Sequence, residues 1–262
     1  LSWHGLRIGR APAGLWLRIG VDRLEAARVE WLGAPSTPTT PSAPPADLAL
    51  PLQIDVTALH IGELRYAADA TPILDVEGSL HLGAELGSVH RVDRLSLRRG
   101  RLVVSGNAQI AASAPMQLEA RLSAAEPADA AASAPGWSAR LNAVGPLAAP
   151  LVQATVRAAA VGGRPAQTLD ARATVRPFAA WPLGTLELTA KALDLSAFDP
   201  ALPLTALSGD ATARTEALDR PGVIVARLQN GAPGRWDERA VLRIGYAYQQ
   251  VTDWHKRRPP IT

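Results

Sequence analysis

The sequence predicts an all-β fold, a long repetitive sheet of antiparallel or mixed strands with one apolar face. Three observations carry this expectation: stretches of strict apolar/polar alternation, a longer spacing that begins Val-x-x-Leu and recurs in three segments with apolar residues at further fixed offsets, and glycines inside apolar runs that keep the parity of the apolar side.

Alternation is clearest in Thr168 to Arg176, where Leu169, Ala171, Ala173 and Val175 fall on one side of an extended chain and Asp170, Arg172, Thr174 and Arg176 on the other. Met116, Leu118, Ala120 and Leu122 alternate in the same way with Gln117, Glu119 and Arg121, as do Leu186, Leu188, Ala190 and Ala192 with Glu187, Thr189 and Lys191. These are half-buried strands. The parity slips by one at Leu193 and Leu195, which predicts a bulge or a short turn.

The recurring spacing starts at Val21-Asp-Arg-Leu24, Val56-Thr-Ala-Leu59 and Val92-Asp-Arg-Leu95, with further apolar residues at fixed offsets. Each copy reads as a strand, a tight turn at Ala27-Arg28, Gly62-Glu63 or Arg98-Arg99, and a second strand. A second unit, apolar-x-Gly-x-apolar-x-apolar, contains Gly78, Gly106 and Gly209. A glycine within a strand marks a bend or a close backbone approach, so these should curve the sheet toward its apolar face. Periodicity alone leaves two architectures open, a sandwich curved at its glycines and an open trough.

The run Thr37 to Pro45 cannot donate a regular ladder and reads as a linker or excursion. The expected organisation is a first β-segment over 1–36, a Pro-rich linker over 37–47, a repetitive β-region over 48–245 and an atypical tail over 246–262. Ala124 to Pro135 reads as an exposed loop or helical turn. The chain opens at Leu1 rather than Met and is expected to be a fragment of a longer protein.

Composition narrows the function classes. Aromatic residues make up 5% of the chain against 47% apolar, so the core is built from Ala, Leu and Val and has little bulk. Of the net charge of +3, Lys256, Arg257 and Arg258 against Asp253 supply most, which leaves a nearly neutral body. No basic stripe interleaved with aromatics is present, and no nucleic-acid partner is expected. Without cysteine there is no disulfide framework and no thiolate metal site.

No nucleophile elbow, phosphate loop, dinucleotide fingerprint or zincin helix occurs, and Gly162-Gly163 reads as a hairpin turn. The histidines His4, His60, His81, His90 and His255 read as solvent-facing strand residues. His81 and His90 could meet across a hairpin, but no carboxylate takes a third ligand position. Asp75 and Glu77 read as the polar side of a strand rather than a glycosidase pair. The tryptophans Trp3, Trp16, Trp31, Trp137, Trp181, Trp236 and Trp254 are dispersed and read as packing anchors. No catalytic residue, metal or cofactor is expected.

The repeated Val-x-x-Leu units, the apolar-x-Gly strands and the stretch Ala13-Gly-Leu-Trp-Leu-Arg-Ile-Gly-Val-Asp-Arg-Leu24 resemble the amino-terminal region of the TamB family, translocation and assembly module subunits of Gram-negative bacteria within the AsmA-like group. Pro177 to Leu183, Leu193-Asp-Leu195 and Leu207-Ser-Gly209 are similar as well, and the resemblance runs from about residue 10 to 242. It implies a taco-shaped, solenoid-like β-groove with an apolar lining, in a periplasmic protein held in the inner membrane by a helix upstream. It implies phospholipid or outer-membrane protein as cargo, and an Omp85-class outer-membrane partner engaged through a carboxy-terminal region absent here. On this reading the chain is a non-enzymatic segment that carries phospholipid between membranes or supports outer-membrane biogenesis. The alternative is a chaperone-like scaffold pairing with client strands by β-augmentation. The residues expected to line the cargo face are Leu80, Leu82, Leu118, Leu122, Leu169, Val175, Leu186 and Leu188.

Overall fold

A computed structural model describes residues 1–11, 17–30, 43–66, 71–127, 136–161, 163–197, 202, 204–216 and 222–231, together with the backbone of 242–247. The chain divides into two compact units, Leu1–Pro127 with Arg140–Pro150, and Ala128–Ala139 with Leu151–Thr262. Most of the expected linker 37–47 and tail 246–262 lies outside the described residues, as do Trp16, Trp31, Trp236 and Trp254.

The fold is all-β, with repetitive antiparallel and mixed pairing, as the alternation predicts. Unit 1 contains β1 (Ser2–His4), β2 (Arg7–Gly9), β3 (Leu17–Glu30), β4 (Leu52–Arg65), β5 (Ile73–Gly83), β6 (Val89–Arg99), β7 (Leu102–Ala111) and β8 (Gln117–Glu126). Strand β9 (Trp137–Pro146) adds its residues from Arg140 onward. A four-residue helical turn, α1 (Ala84–Gly87), joins β5 to β6, and Glu85 and Leu86 within it take left-handed angles. Unit 2 contains β10 (Leu151–Ala158), β11 (Gln167–Val175), β12 (Leu183–Leu193), a 3-10 turn (Leu195–Ala197), β13 (Leu207–Arg214), β14 (Val223–Asn230) and β15 (Leu242–Ala247). Among the described residues the first and last strands of neither unit pair with each other, so each sheet is open.

Neighbouring strands from β4 to β8 and from β10 to β15 pair antiparallel in chain order. The exception is β3–β4, which is parallel. Its register sets Val21 against Val56, Leu24 against Leu59, Ala26 against Ile61 and Val29 against Leu64, so two copies of the sequence repeat lie side by side.

The repeats are not strand–turn–strand units. Strands β3 and β4 run straight through the turns expected at Ala27-Arg28 and Gly62-Glu63, and the third copy turns at Gly100-Arg101 rather than Arg98-Arg99. In the second and third copies the Val-x-x-Leu spacing is a β-bulge instead. Val56 and Leu59 oppose Leu80 and Gly78, so three steps on β4 face two on β5. Val92 and Leu95 oppose Ala108 and Gly106 in the same way, and Ala190 and Leu193 oppose Gly209 and Leu207. The added residue restores the apolar parity that a three-residue spacing would break. Arg94 and Ala192, within two of these bulges, take positive φ of 53° and 52°.

The in-strand glycines answer the bulges. A Cβ at Gly78 would stand 3.2 Å from the Asp93 carbonyl oxygen, and one at Gly209 would overlap the Arg227 carbonyl. By register each of these glycines opposes a residue that flanks a bulge, Gly78 on Leu59, Gly106 on Leu95 and Gly209 on Ala190. The parity slip at Leu193 resolves into such a bulge followed by the 3-10 turn. The loop expected from Ala124 begins later, because β8 continues to Glu126, and 128–135 lie outside the described residues.

Candidate functional site

All eight residues expected to line the cargo face lie on strands and are half-buried. In unit 1 an unbroken apolar row crosses six strands, Val21 to Val56, Leu80, Val92, Ala108 and Ala120. Leu82 pairs with Ile54, Leu118 with Ile110 and Leu122 with Gly106, which puts Leu80, Leu82, Leu118 and Leu122 on one face. In unit 2, Ala154, Ala171, Leu188, Ala211 and Ala226 form one row. Val156, Leu169, Ala190, Gly209 and Leu228 form a second, and Val152, Ala173, Leu186, Ala213 and Ile224 a third. Val175 continues the parity of Leu169 along β11.

The rows are apolar, and their leucines are not covered. Among the described residues the buried apolar set is mostly alanine and valine, and Met116 and Leu193 are its largest side chains. A two-layer core would bury its leucines. Here they retain accessible surface on a face that carries no charged side chain in any of these four rows. Each leucine that gave up ~40 Å² to a ligand would contribute about 1 kcal/mol.

Around the four apolar rows charge lies on the opposite face, where cross-strand ion pairs form a ladder the sequence reading did not anticipate. Arg18 on β3 donates from Nε to Asp55 on β4 (2.9 Å), and Asp55 meets His81 Nδ1 on β5 (3.0 Å). Gln53 also donates to Asp55 (2.9 Å), His81 Nε2 lies 3.9 Å from Asp93 on β6, and Arg91 ion-pairs with Asp93 (2.7 Å). Burial pushes the Asp55 carboxyl up, but hydrogen bonds and charge from His81 and Arg18 outweigh it, so the group sits below the usual carboxylate range. Glu63 is lowered by hydrogen bonds from Arg65 and Arg28. Polar off-parity positions were legible in the sequence, but which of them face one another depends on the register between strands.

Two clefts of about 540 and 530 Å³ open on this charged face, lined in one case by Arg23, Thr57, His60, Glu77 and Arg94 and in the other by Arg7, Arg18, Asp55 and His81. Their charged groups are largely engaged with one another: Arg7 with Asp22, Arg18 with Asp55, and His60 with Glu77 at 3.5 Å.

Two expectations about histidines change. His81 and His90 do not meet: the partner of His81 is Asp55, and His90 bonds only main-chain atoms. His90 lies on the apolar side of β6, two residues before Val92, rather than facing solvent. Among the described residues no group of three or more histidine and carboxylate side chains could hold a metal ion. Asp75 bonds Arg98 (2.6 Å). Trp3 is exposed, whereas Trp181 donates to Thr215 (2.6 Å). Gly163 lies in a tight turn closed by Val161 and Arg164.

No family model matches this chain, and no solved structure matches it. A stretch of 24 residues, 9% of the chain, is 71% identical to a glutamyl-tRNA(Gln) amidotransferase subunit of Synechococcus sp. (strain JA-3-3Ab), and the same figures hold for the corresponding protein of Synechococcus sp. (strain JA-2-3B'a(2-13)). The chain spans 5% of the length of these relatives. Likeness over so short a stretch shows neither a family nor an activity. No helix among the described residues is long and apolar enough to cross a membrane.

Proposed function

We propose that this chain is a non-enzymatic segment of a periplasmic β-groove protein similar to the TamB family, and that its apolar sheet face carries phospholipid by the acyl chains. The supporting observation is the separation of the two faces. Leucines and alanines form continuous rows whose leucines stay half-exposed, while the ionisable side chains of Arg18, Asp55, His81, Arg91 and Asp93 pair with one another on the other side. Acyl chains need continuous apolar surface and room, and alanines at 154, 171, 211 and 226 leave room between leucines at 169, 186, 188 and 228. Nothing in those rows would fix a polar substrate, since specificity for one requires convergent polar groups.

On this reading, attachment to the inner membrane and to an Omp85-class outer-membrane partner would be made by parts of the protein outside this chain. Photocrosslinking in cells tests the reading. A benzophenone side chain at Leu80, Leu118, Leu169 or Leu186 is expected to capture phospholipid, and one at Glu119, Asp170 or Glu187 is not. Equal capture from both faces refutes the proposal. Capture of nascent outer-membrane proteins with no lipid would replace it with the chaperone-like scaffold.

A further inference from the structure

We propose that His90 is a pH-operated clasp that fastens the segment entering β4 to the end of the unit 1 sheet. Both of its ring nitrogens are committed to main-chain groups whose roles cannot be reversed. Nδ1 accepts the Gly83 N–H (3.1 Å), and Nε2 donates its hydrogen to the Leu48 carbonyl (2.7 Å). An amide N–H can only donate and a carbonyl can only accept, so this geometry requires the neutral ring with its hydrogen on Nε2. A second proton on Nδ1 would face the Gly83 N–H, donor against donor. Protonation and the closed clasp are incompatible.

The clasp sits where the chain has little else to hold it. Leu48 makes two bonds to the sheet end, donating to the Ala112 carbonyl (2.7 Å) and accepting from His90. Its neighbours from 43 to 47 are exposed. Gly83 cannot easily adjust, since it takes φ 66° and a Cβ there would stand 2.8 Å from the Leu52 carbonyl oxygen. When His90 loses the Gly83 bond, the ring is free to turn away from Leu48, which keeps its bond to Ala112.

The ionisable groups on the packed elements are few. Asp47, next to Leu48, accepts the Ala49 N–H (3.1 Å), Glu85 in α1 is exposed, and β7 carries none. On β5 and β6, His81 and Arg91 are engaged with Asp55 and Asp93 on the opposite face. A protonated ring therefore has Asp47 and Glu85 as charged groups to turn toward. The clasp is closed while the ring is neutral and opens when acidification adds the second proton.

Residue-resolved hydrogen exchange on the whole chain tests the clasp, with rates corrected for the intrinsic effect of pH. Between pH 7.5 and 5.5, protection of the Gly83 amide is expected to fall about fivefold, the equivalent of one ordinary hydrogen bond, while amides inside β7 and β8 keep theirs. In His90→Gln, whose amide supplies one donor and one acceptor without titrating, Gly83 protection should not depend on pH. A pH response that persists in that variant assigns the switch to another group and overturns the proposal. Nitrogen-15 shifts of the His90 ring in the wild-type chain give a check that needs no variant. The hydrogen is expected on Nε2 at pH 7.5, and finding it on Nδ1 refutes the clasp.

Discussion

Replacing Gly209 with alanine tests the close approach of β13 to β14 at a single atom. Gly209 has φ 138°, and a Cβ built there overlaps the Arg227 carbonyl oxygen and stands 2.9 Å from its carbonyl carbon and 3.2 Å from Leu228 Cα. The obstruction is main chain, which no rotamer change relieves, so β13 and β14 must separate locally. Separation around the Gly209–Leu228 pair sacrifices about two ladder bonds at ~1 kcal/mol each, and the positive φ adds about 1 kcal/mol of strain. The sum is about 3 kcal/mol. Gly163→Ala is the control in the same unit, because its φ of 79° carries the strain but nothing lies within 4 Å of the added carbon, giving about 1 kcal/mol. Urea unfolding should therefore put the Gly209 variant about 1 M below the Gly163 variant, for a slope of about 2 kcal/mol per M. Equal midpoints would refute the close approach of β13 to β14 at Gly209.

Two further outcomes follow from the charged groups. Asp194 is buried and accepts from Arg164 (2.7 Å), the Ser196 amide (3.1 Å) and hydroxyl (2.7 Å), and the Thr205 amide (3.2 Å). Asp194→Ala should cost about 3 kcal/mol in thermal or urea unfolding, whereas Asp170→Ala, which breaks an open pair with Arg157, should cost under about 1 kcal/mol. The folded state holds the Asp55 carboxyl below its unfolded value, so its contribution is present above the unfolded pKa and is lost as pH falls through the folded one. The stability difference between wild type and Asp55→Asn should accordingly be constant above about pH 5 and shrink below about pH 4, read from urea midpoints across that range.

Much of this was legible in the sequence where a property is local. Alternation in Thr168–Val175 and Leu118–Leu122 identified the strands and the residues that share a face, because a period of two needs no partner to be read. The Val-x-x-Leu spacing was misread, because a three-residue gap breaks that period and either a turn or a bulge can restore it. The deciding partner, Gly78 for Leu59 and Gly106 for Leu95, lies on the neighbouring strand. The parallel setting of Val21 on Val56 and the ladder through Arg18, Asp55 and His81 were likewise invisible, since both depend on register between separate strands. The histidines were hidden for a further reason. Alternation places His90 on the apolar side, but only the turn at Gly83 and the return of the chain at Leu48 give its ring two main-chain partners.

The one parallel joint divides the assembly of unit 1 into two kinds of event. From β4 to β8 each antiparallel strand needs only a turn to reach its predecessor, so the ladder can zip up from nearest neighbours as the chain emerges. Strand β3 can join β4 only after Glu30, at one end of the parallel pair, and Leu52, at the other, have been set in register, a closure that costs conformational entropy before any bond repays it. The amino-terminal strands are thus a late addition to an already formed sheet, and until they dock, β4 is an open edge that another strand could occupy.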